Sequence, residues 1–137
     1  MSAKLLLDSW AILAYLKKEC PADERVLELL EEAHENKVRL FLSIMNLGEI
    51  YYLVGREKGE KTAQYTLEEI KHLPIEILSV AEKDVLSATH WKMQYSMAYA
   101  DAFAVSAAQK HHATLLTGDP EILALVDFLD IEILERK

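Results

Sequence analysis

Four acidic residues, Asp8, Glu49, Asp101 and Asp119, each interrupt a stretch that is otherwise uncharged. Asp8 is the only charge between Lys4 and Lys17, Glu49 between Arg39 and Arg56, and Asp101 between Lys92 and Lys110; Asp119 follows the uncharged run from Ala113 to Gly118. A carboxylate among aliphatic and aromatic neighbours loses hydration, and the loss is costly unless something compensates it. One shared divalent cation compensates all four together. An all-oxygen donor set selects hard cations, Mg²⁺ or Mn²⁺, over zinc, which prefers histidine or cysteine. The chemistry in view is metal-assisted hydrolysis of a phosphodiester, in which the cation activates water and neutralises charge on the departing oxygen. Ser9 and Thr117 stand beside two of the acids and offer hydroxyls. Asn46 precedes Glu49 by three residues, so on a helix the two share a face.

Each acid also has a structural reading. Asp8 and Asp101 suit helix caps, and Asp119 in Thr117-Gly118-Asp119-Pro120 suits a turn and a helix start. Glu49 has no such role, because it falls inside a helical segment between Leu47, Ile50, Tyr51 and Leu53. The remaining chemistry-bearing residues are weaker candidates. His34, His72 and His90 have no mutual spacing that forms a metal site, and His111 and His112 suit the end of a helix, where the dipole favours them. Cys20 is the sole cysteine, so an internal disulfide is excluded, and it precedes Pro21 in a loop. Arg56, Lys58 and Lys61 form a small basic cluster, by default a solvated face.

The elements that must position the acids follow from periodicity. Short apolar strands are expected at 3–7, 38–42, 75–78, 114–116 and 131–134. Helices are expected at 10–16, 22–36, 44–57, 61–72, 81–95, 101–111 and 120–126. Pro21, Asp23 and Glu24 suit a helix start, and Gly59 a stop. Gly48 lies inside an expected helix, which suggests close packing or space beside Glu49. The segment from Trp91 to Tyr99 reads as core or subunit interface. Strands that alternate with helices and are almost continuously apolar indicate a parallel sheet covered on both faces, an α/β fold in three layers with about five strands. In such a sheet ligands gather beyond the carboxyl ends of the strands, and all four acids can reach that rim.

The 137 residues fit one domain, 1–137, with 51% hydrophobic and 28% charged residues, an ordinary globular composition. The net charge of −8 excludes a protein that holds nucleic acid by bulk positive charge. With no apolar run of spanning length and no cleavage pattern at the amino terminus, a cytoplasmic location and no membrane partner are expected.

Leu-Leu-Leu-Asp-Ser at 5–9, Asn-Leu-Gly-Glu at 46–49, Ala-Tyr-Ala-Asp-Ala-Phe-Ala at 98–104 and Leu-Leu-Thr-Gly-Asp-Pro-Glu at 115–121 resemble the successive signature segments of PIN-domain nucleases. The resemblance covers essentially the whole chain and is nearest to the stand-alone VapC-type toxins of toxin–antitoxin systems. It implies a five-stranded parallel sheet, Mg²⁺- or Mn²⁺-dependent endoribonuclease activity on RNA, a homodimer, and a cognate antitoxin whose tail occupies the active-site groove. By position, Asp8, Glu49 and Asp101 match the three most regular acids of the family and Asp119 the more variable fourth, while Ser9 and Thr117 match its hydroxyl positions. Trp10 departs from the pattern, being bulkier than the small or polar residue frequent there. Two other readings compete. A non-catalytic PIN-like module that binds a protein partner has no use for four costly acids. A phosphoaccepting receiver domain needs an Asp just after the third strand, where this chain has Ser79 and Val80.

Overall fold

A computed structural model describes residues 2–137, and its sheet is organised around two central strands. In chain order the elements are β1 (Ala3–Leu7), α1 (Ser9–Leu16), α2 (Ala22–His34), β2 (Val38–Ser43), α3 (Ile44–Lys58), α4 (Glu60–Lys71), β3 (Glu76–Leu78), α5 (Glu82–Gln94), α6 (Tyr99–His111), β4 (Thr114–Thr117), α7 (Pro120–Leu123) and β5 (Ile131–Ile133). The five strands are all parallel and lie in the order β3-β2-β1-β4-β5. From β1 the chain winds outward through β2 and β3, then returns to the other side of β1 for β4 and β5. The switch point therefore lies between β1 and β4, where an open α/β sheet forms its ligand crevice.

Because successive strand side chains face opposite ways, each central strand feeds two cores. Leu5 and Leu7 of β1, Leu40 and Leu42 of β2 and Leu116 of β4 face a layer built from α1, α2 and residues of α3 and α4. Leu6, Phe41 and Leu115 face the other way, onto α6, α7 and Ala88 of α5. Leu6, Leu7, Leu42, Leu115 and Leu116 are all fully buried, and each such leucine contributes about 1.5–3 kcal/mol. This is the expected three-layer α/β/α architecture. Among the described residues, no helix is long and apolar enough to cross a membrane.

The differences from expectation lie at element ends. Helix α6 begins at Tyr99 with Ala98 as its cap, so Asp101 is the third helical residue rather than a cap. Helix α7 is a single turn ending at Leu123, three residues short of its expected end. Gly59, with φ of 95°, both ends α3 and precedes α4, as a residue free of Cβ can. Gly48 is exposed, and a Cβ there would meet nothing within 4 Å, so it does not serve close packing. The Trp91 to Tyr99 segment divides: Met97 is buried, Trp91 and Tyr95 pack half-buried on the core, and Met93 and Tyr99 are exposed. Cys20 is exposed and free, and neighbouring Asp23 holds its thiol above the ordinary range, which suits the inert reading.

Candidate active site

Strand register decides which acid meets which. Leu7 pairs with Leu116, so the next residues along, Asp8 and Thr117, lie level at the carboxyl ends of the two central strands. Asp8 leaves the strand in extended conformation and caps α1, its Oδ1 accepting from the Ala11 amide at 2.8 Å. Its other oxygen, Oδ2, accepts a short hydrogen bond from the Thr117 hydroxyl. That hydroxyl in turn accepts from the Asp119 amide at 3.0 Å, which fixes the turn carrying Asp119. Asp119 then caps α7 through the Glu121 amide at 2.9 Å. Capping and convergence on the rim thus coexist at Asp8 and Asp119, and the structural readings of both are correct as far as they go.

Asp101 projects from the first turn of α6 and is 6% exposed. Carboxylate oxygens of Asp101, Asp119 and Glu121 lie within 4.8 Å of one another. Glu121 joins this carboxylate cluster; sequence reasoning passed over it, although it stands in the segment that includes Asp119. The signal was present as an acid two positions on, but as the second residue of a Pro-initiated turn it reads as an ordinary first-turn helix acid. Glu49 lies on the second turn of α3, partly buried, and its charge is felt at both Asp8 and Asp101.

Asn46 and Ser9 join the helices that carry these acids. The Asn46 amide donates to the Ser9 hydroxyl at 3.0 Å and to the Ala100 carbonyl at 3.3 Å, and the Ser9 hydroxyl donates to the Asn46 carbonyl at 3.3 Å. The bonds tie the starts of α1, α3 and α6 to one another, next to Asp8 and Asp101. Both hydroxyls expected beside the acids are engaged within the protein, Thr117 bonding Asp8 directly and Ser9 bonding Asn46. The side-chain oxygen Oδ1 of Asn46 is fully buried and has no donor.

The electrostatics follow from this crowding. Burial first, with the charges of Asp119 and Glu49 adding to it, pushes Asp8 up to about 7 despite the opposing hydrogen bonds from Thr117 and Ala11. Burial also raises Asp101, to about 8, assisted by the charge of Asp119 and a hydrogen bond with it, then by Asp8 and Glu49. Among the described residues, no Lys, Arg or His makes an ion pair with any of these five acids. A cluster of acids in which Asp8 and Asp101 hold their protons to near neutral pH, with an unsatisfied buried carbonyl oxygen at Asn46 and no internal cation among the described residues, fits a hard divalent metal ion.

The fold recurs in known structures. The chain aligns with VapBC2 from Rickettsia felis, solved bound to a DNA fragment from their promoter, with a TM-score of 0.73 and 17% identity over 96% of this chain and 99% of that one. It aligns with VapC20 from Mycobacterium tuberculosis, a sarcin-ricin loop cleaving toxin, with a TM-score of 0.64 and 17% identity over 88% and 93% of the two chains. FitAcB from Neisseria gonorrhoeae gives 0.65 and 19% over 93% and 95%. At such identities the likeness is one of fold. No curated protein matches the sequence significantly. The PIN domain family, however, matches residues 5–129, from the first central strand to beyond the last acid of the cluster. With most of its length matched and the rim acids inside that span, the chain belongs to the PIN domain family.

Proposed function

We propose that this protein is a Mg²⁺- or Mn²⁺-dependent endoribonuclease and the toxin of a toxin–antitoxin pair, residues 1–137 acting as one nuclease domain in the cytoplasm. The observation that carries the reading is the convergence of Asp8, Glu49, Asp101 and Asp119 at the β1/β4 switch point without a compensating cation among the described side chains. Asp8, Asp101 and Asp119, with Glu49 across the crevice, would hold the metal, and Glu121 extends the set on the outer side. Bound there, the metal supplies Lewis-acid activation of water and neutralises charge on the scissile phosphate and its leaving oxygen. The chain's own contribution is preorganisation. Thr117 keeps Asp8 turned inward, and the Ser9–Asn46–Ala100 bonds keep the starts of α1 and α6 at fixed separation. Asp8 and Asp101 must lose their protons before the metal enters, so the site assembles as pH rises toward 8.

The partners follow from the same reading. The substrate is RNA, presented as single strand to the crevice. A cognate antitoxin is supported by neighbours that are toxin–antitoxin complexes, the Rickettsia felis and Salmonella typhimurium VapBC proteins among them. Homodimer formation is supported by Val85, Leu86 and Met93 on α5, which are 37%, 62% and 78% exposed and share a helix face at spacings of seven and eight. The test is hydrolysis of single-stranded RNA by the purified protein in Mg²⁺, its arrest by EDTA and its recovery in Mn²⁺. Asp101→Asn should abolish cleavage with an unchanged circular dichroism spectrum. Full cleavage by that variant would remove the reading.

A further inference from the structure

We infer that the cleft beside the acid rim, walled by Trp10 and Arg136, receives a base of the single-stranded RNA substrate, stacked on the guanidinium face of Arg136. The assignment rests on the nuclease reading above. The cleft has a volume of about 460 Å³ and is bordered by Trp10, Gly118, Pro120, Leu123 and Arg136. Gly118 and Pro120 flank Asp119 in the chain, and Trp10 follows Asp8 by two residues on the first turn of α1, so the cleft borders the two segments that carry Asp8 and Asp119. A base held here leaves its sugar-phosphate at the edge of the acid cluster.

The wall is built rather than incidental. The Trp10 ring lies so close over Gly118 that a Cβ there would fall 2.3 Å from Cζ2, which requires glycine at that position. On the ring sits the Arg136 guanidinium, its carbon 5.0 Å from the centroid. Backbone pairing on both sides of Arg136 fixes it, Ala22 N–H donating to Glu135 O at 3.0 Å and Lys137 N–H to Cys20 O at 2.9 Å. The only ion-pair partner of the guanidinium among the described residues is Glu19, at 3.2 Å, and the arginine side chain is 49% exposed. An exposed pair of that kind is weak. Trp10 thus holds the guanidinium against its ring while about half of the arginine side chain stays exposed, and a planar cation anchored on an aromatic in this way is a platform on which an unstacked base packs. In a chain of net charge −8 with an acidic catalytic rim, a cationic plane adjoining that rim is also where a polyanion gains most.

The test uses Trp10 as its own reporter. The chain has two tryptophans, so a Trp91→Phe background isolates Trp10 emission. The probe is a nucleoside 5′-monophosphate, which contains no internucleotide bond, titrated with EDTA and then with Mg²⁺. Expected are a saturable change in Trp10 emission and about tenfold weaker binding in Arg136→Ala, with a similar rise in KM for single-stranded RNA and an unchanged kcat. Arg136→Lys keeps the charge but loses the plane and should fall with Arg136→Ala. Wild-type behaviour in Arg136→Ala, or full recovery in Arg136→Lys, would overturn the stacking assignment while RNA cleavage continued. Nucleotide binding through Arg136 without any RNA cleavage would instead sink the nuclease reading and keep the cleft.

Discussion

Replacing Asp8 by Asn should stabilise the metal-free protein at neutral and alkaline pH, although it removes a residue central to the site. The Asp8 side chain is 1% exposed, and its pKa rises from 3.8 to about 7 on folding. That is about 3 units, which at about 1.4 kcal/mol each amounts to about 4 kcal/mol. The folded state binds this proton more tightly than the unfolded chain does. Its contribution is therefore fully present below pH 4 and is lost as pH rises through about 7. Asparagine is neutral throughout and caps a helix about as well as aspartate, so the bond from the Ala11 amide survives. What is lost is an acceptor for the Thr117 hydroxyl, worth about 1 kcal/mol. The variant should then be about 3 kcal/mol more stable than wild type near pH 8 in EDTA and about 1 kcal/mol less stable near pH 4. Loss of the Asp8 charge also eases the ionisation of Asp101, which acts in the same direction. Saturating Mg²⁺ should reverse the order near pH 8, since only the wild type gains binding free energy from the ion. Urea unfolding followed by circular dichroism, at both pH values and with either EDTA or Mg²⁺, measures all four differences. A stability difference that ignores pH, or a variant less stable than wild type near pH 8 in EDTA, refutes the claim that Asp8 carries an uncompensated buried charge.

The same network yields further predictions. Cleavage at limiting Mg²⁺ should rise with pH through about 7 to 8, and its midpoint should move down as Mg²⁺ increases, because protons and cation compete for Asp8 and Asp101; a midpoint indifferent to Mg²⁺ counts against the shared site. Glu49→Gln should lower kcat by about a hundredfold or more with a stability change under about 1 kcal/mol, since Glu49 is partly exposed and makes no cap; chemical denaturation alongside steady-state kinetics tests both. Glu121→Gln should weaken Mg²⁺ binding about tenfold by calorimetry without abolishing cleavage at saturating metal. Thr117→Val removes the donor to Asp8 and the acceptor for the Asp119 amide, so it should cost about 1–3 kcal/mol and move the acidic limb of the cleavage profile upward.

How far the sequence reveals this site depends on the range of the interaction that places each residue. Asp8 and Asp119 are legible because a strand end and a following cap are local events, written within a few residues. Asp101 is legible as a candidate rim acid, but its cap reading fails, since it lies in the first turn of α6 with Ala98 as the cap. Tyr99 and Ala100 extend α6 past the expected boundary, and packing against α5 and β1 overrides the local preference for a cap at Asp101. Glu121 escapes for the opposite reason: its sequence context is ordinary, and only the turn that brings it back toward Asp101 makes it part of the cluster. The apolar strands declare the parallel sheet, but no local pattern specifies the order β3-β2-β1-β4-β5, and it is that order which makes neighbours of residues 8 and 117.

That dependence on topology explains why four isolated acids persist in apolar surroundings. Asp8 and Asp101 alone would each be better replaced by a neutral residue, because burial without a partner destabilises their charged form. Together at the switch point the four concentrate negative charge where the two central strands end, and Asp8 and Asp101 are held partly protonated near neutral pH. The residues that carry no charge, Thr117, Ser9 and Asn46, then have a definite task. They keep mutually repelling carboxylates from swinging apart, by bonds that cross from β4 to Asp8 and from α3 to α1 and α6. On the proposed reading, such a site is strained without its cation and relaxed with it. The stability of the fold and the affinity for the proposed metal would then be two measurements of the same electrostatic opposition.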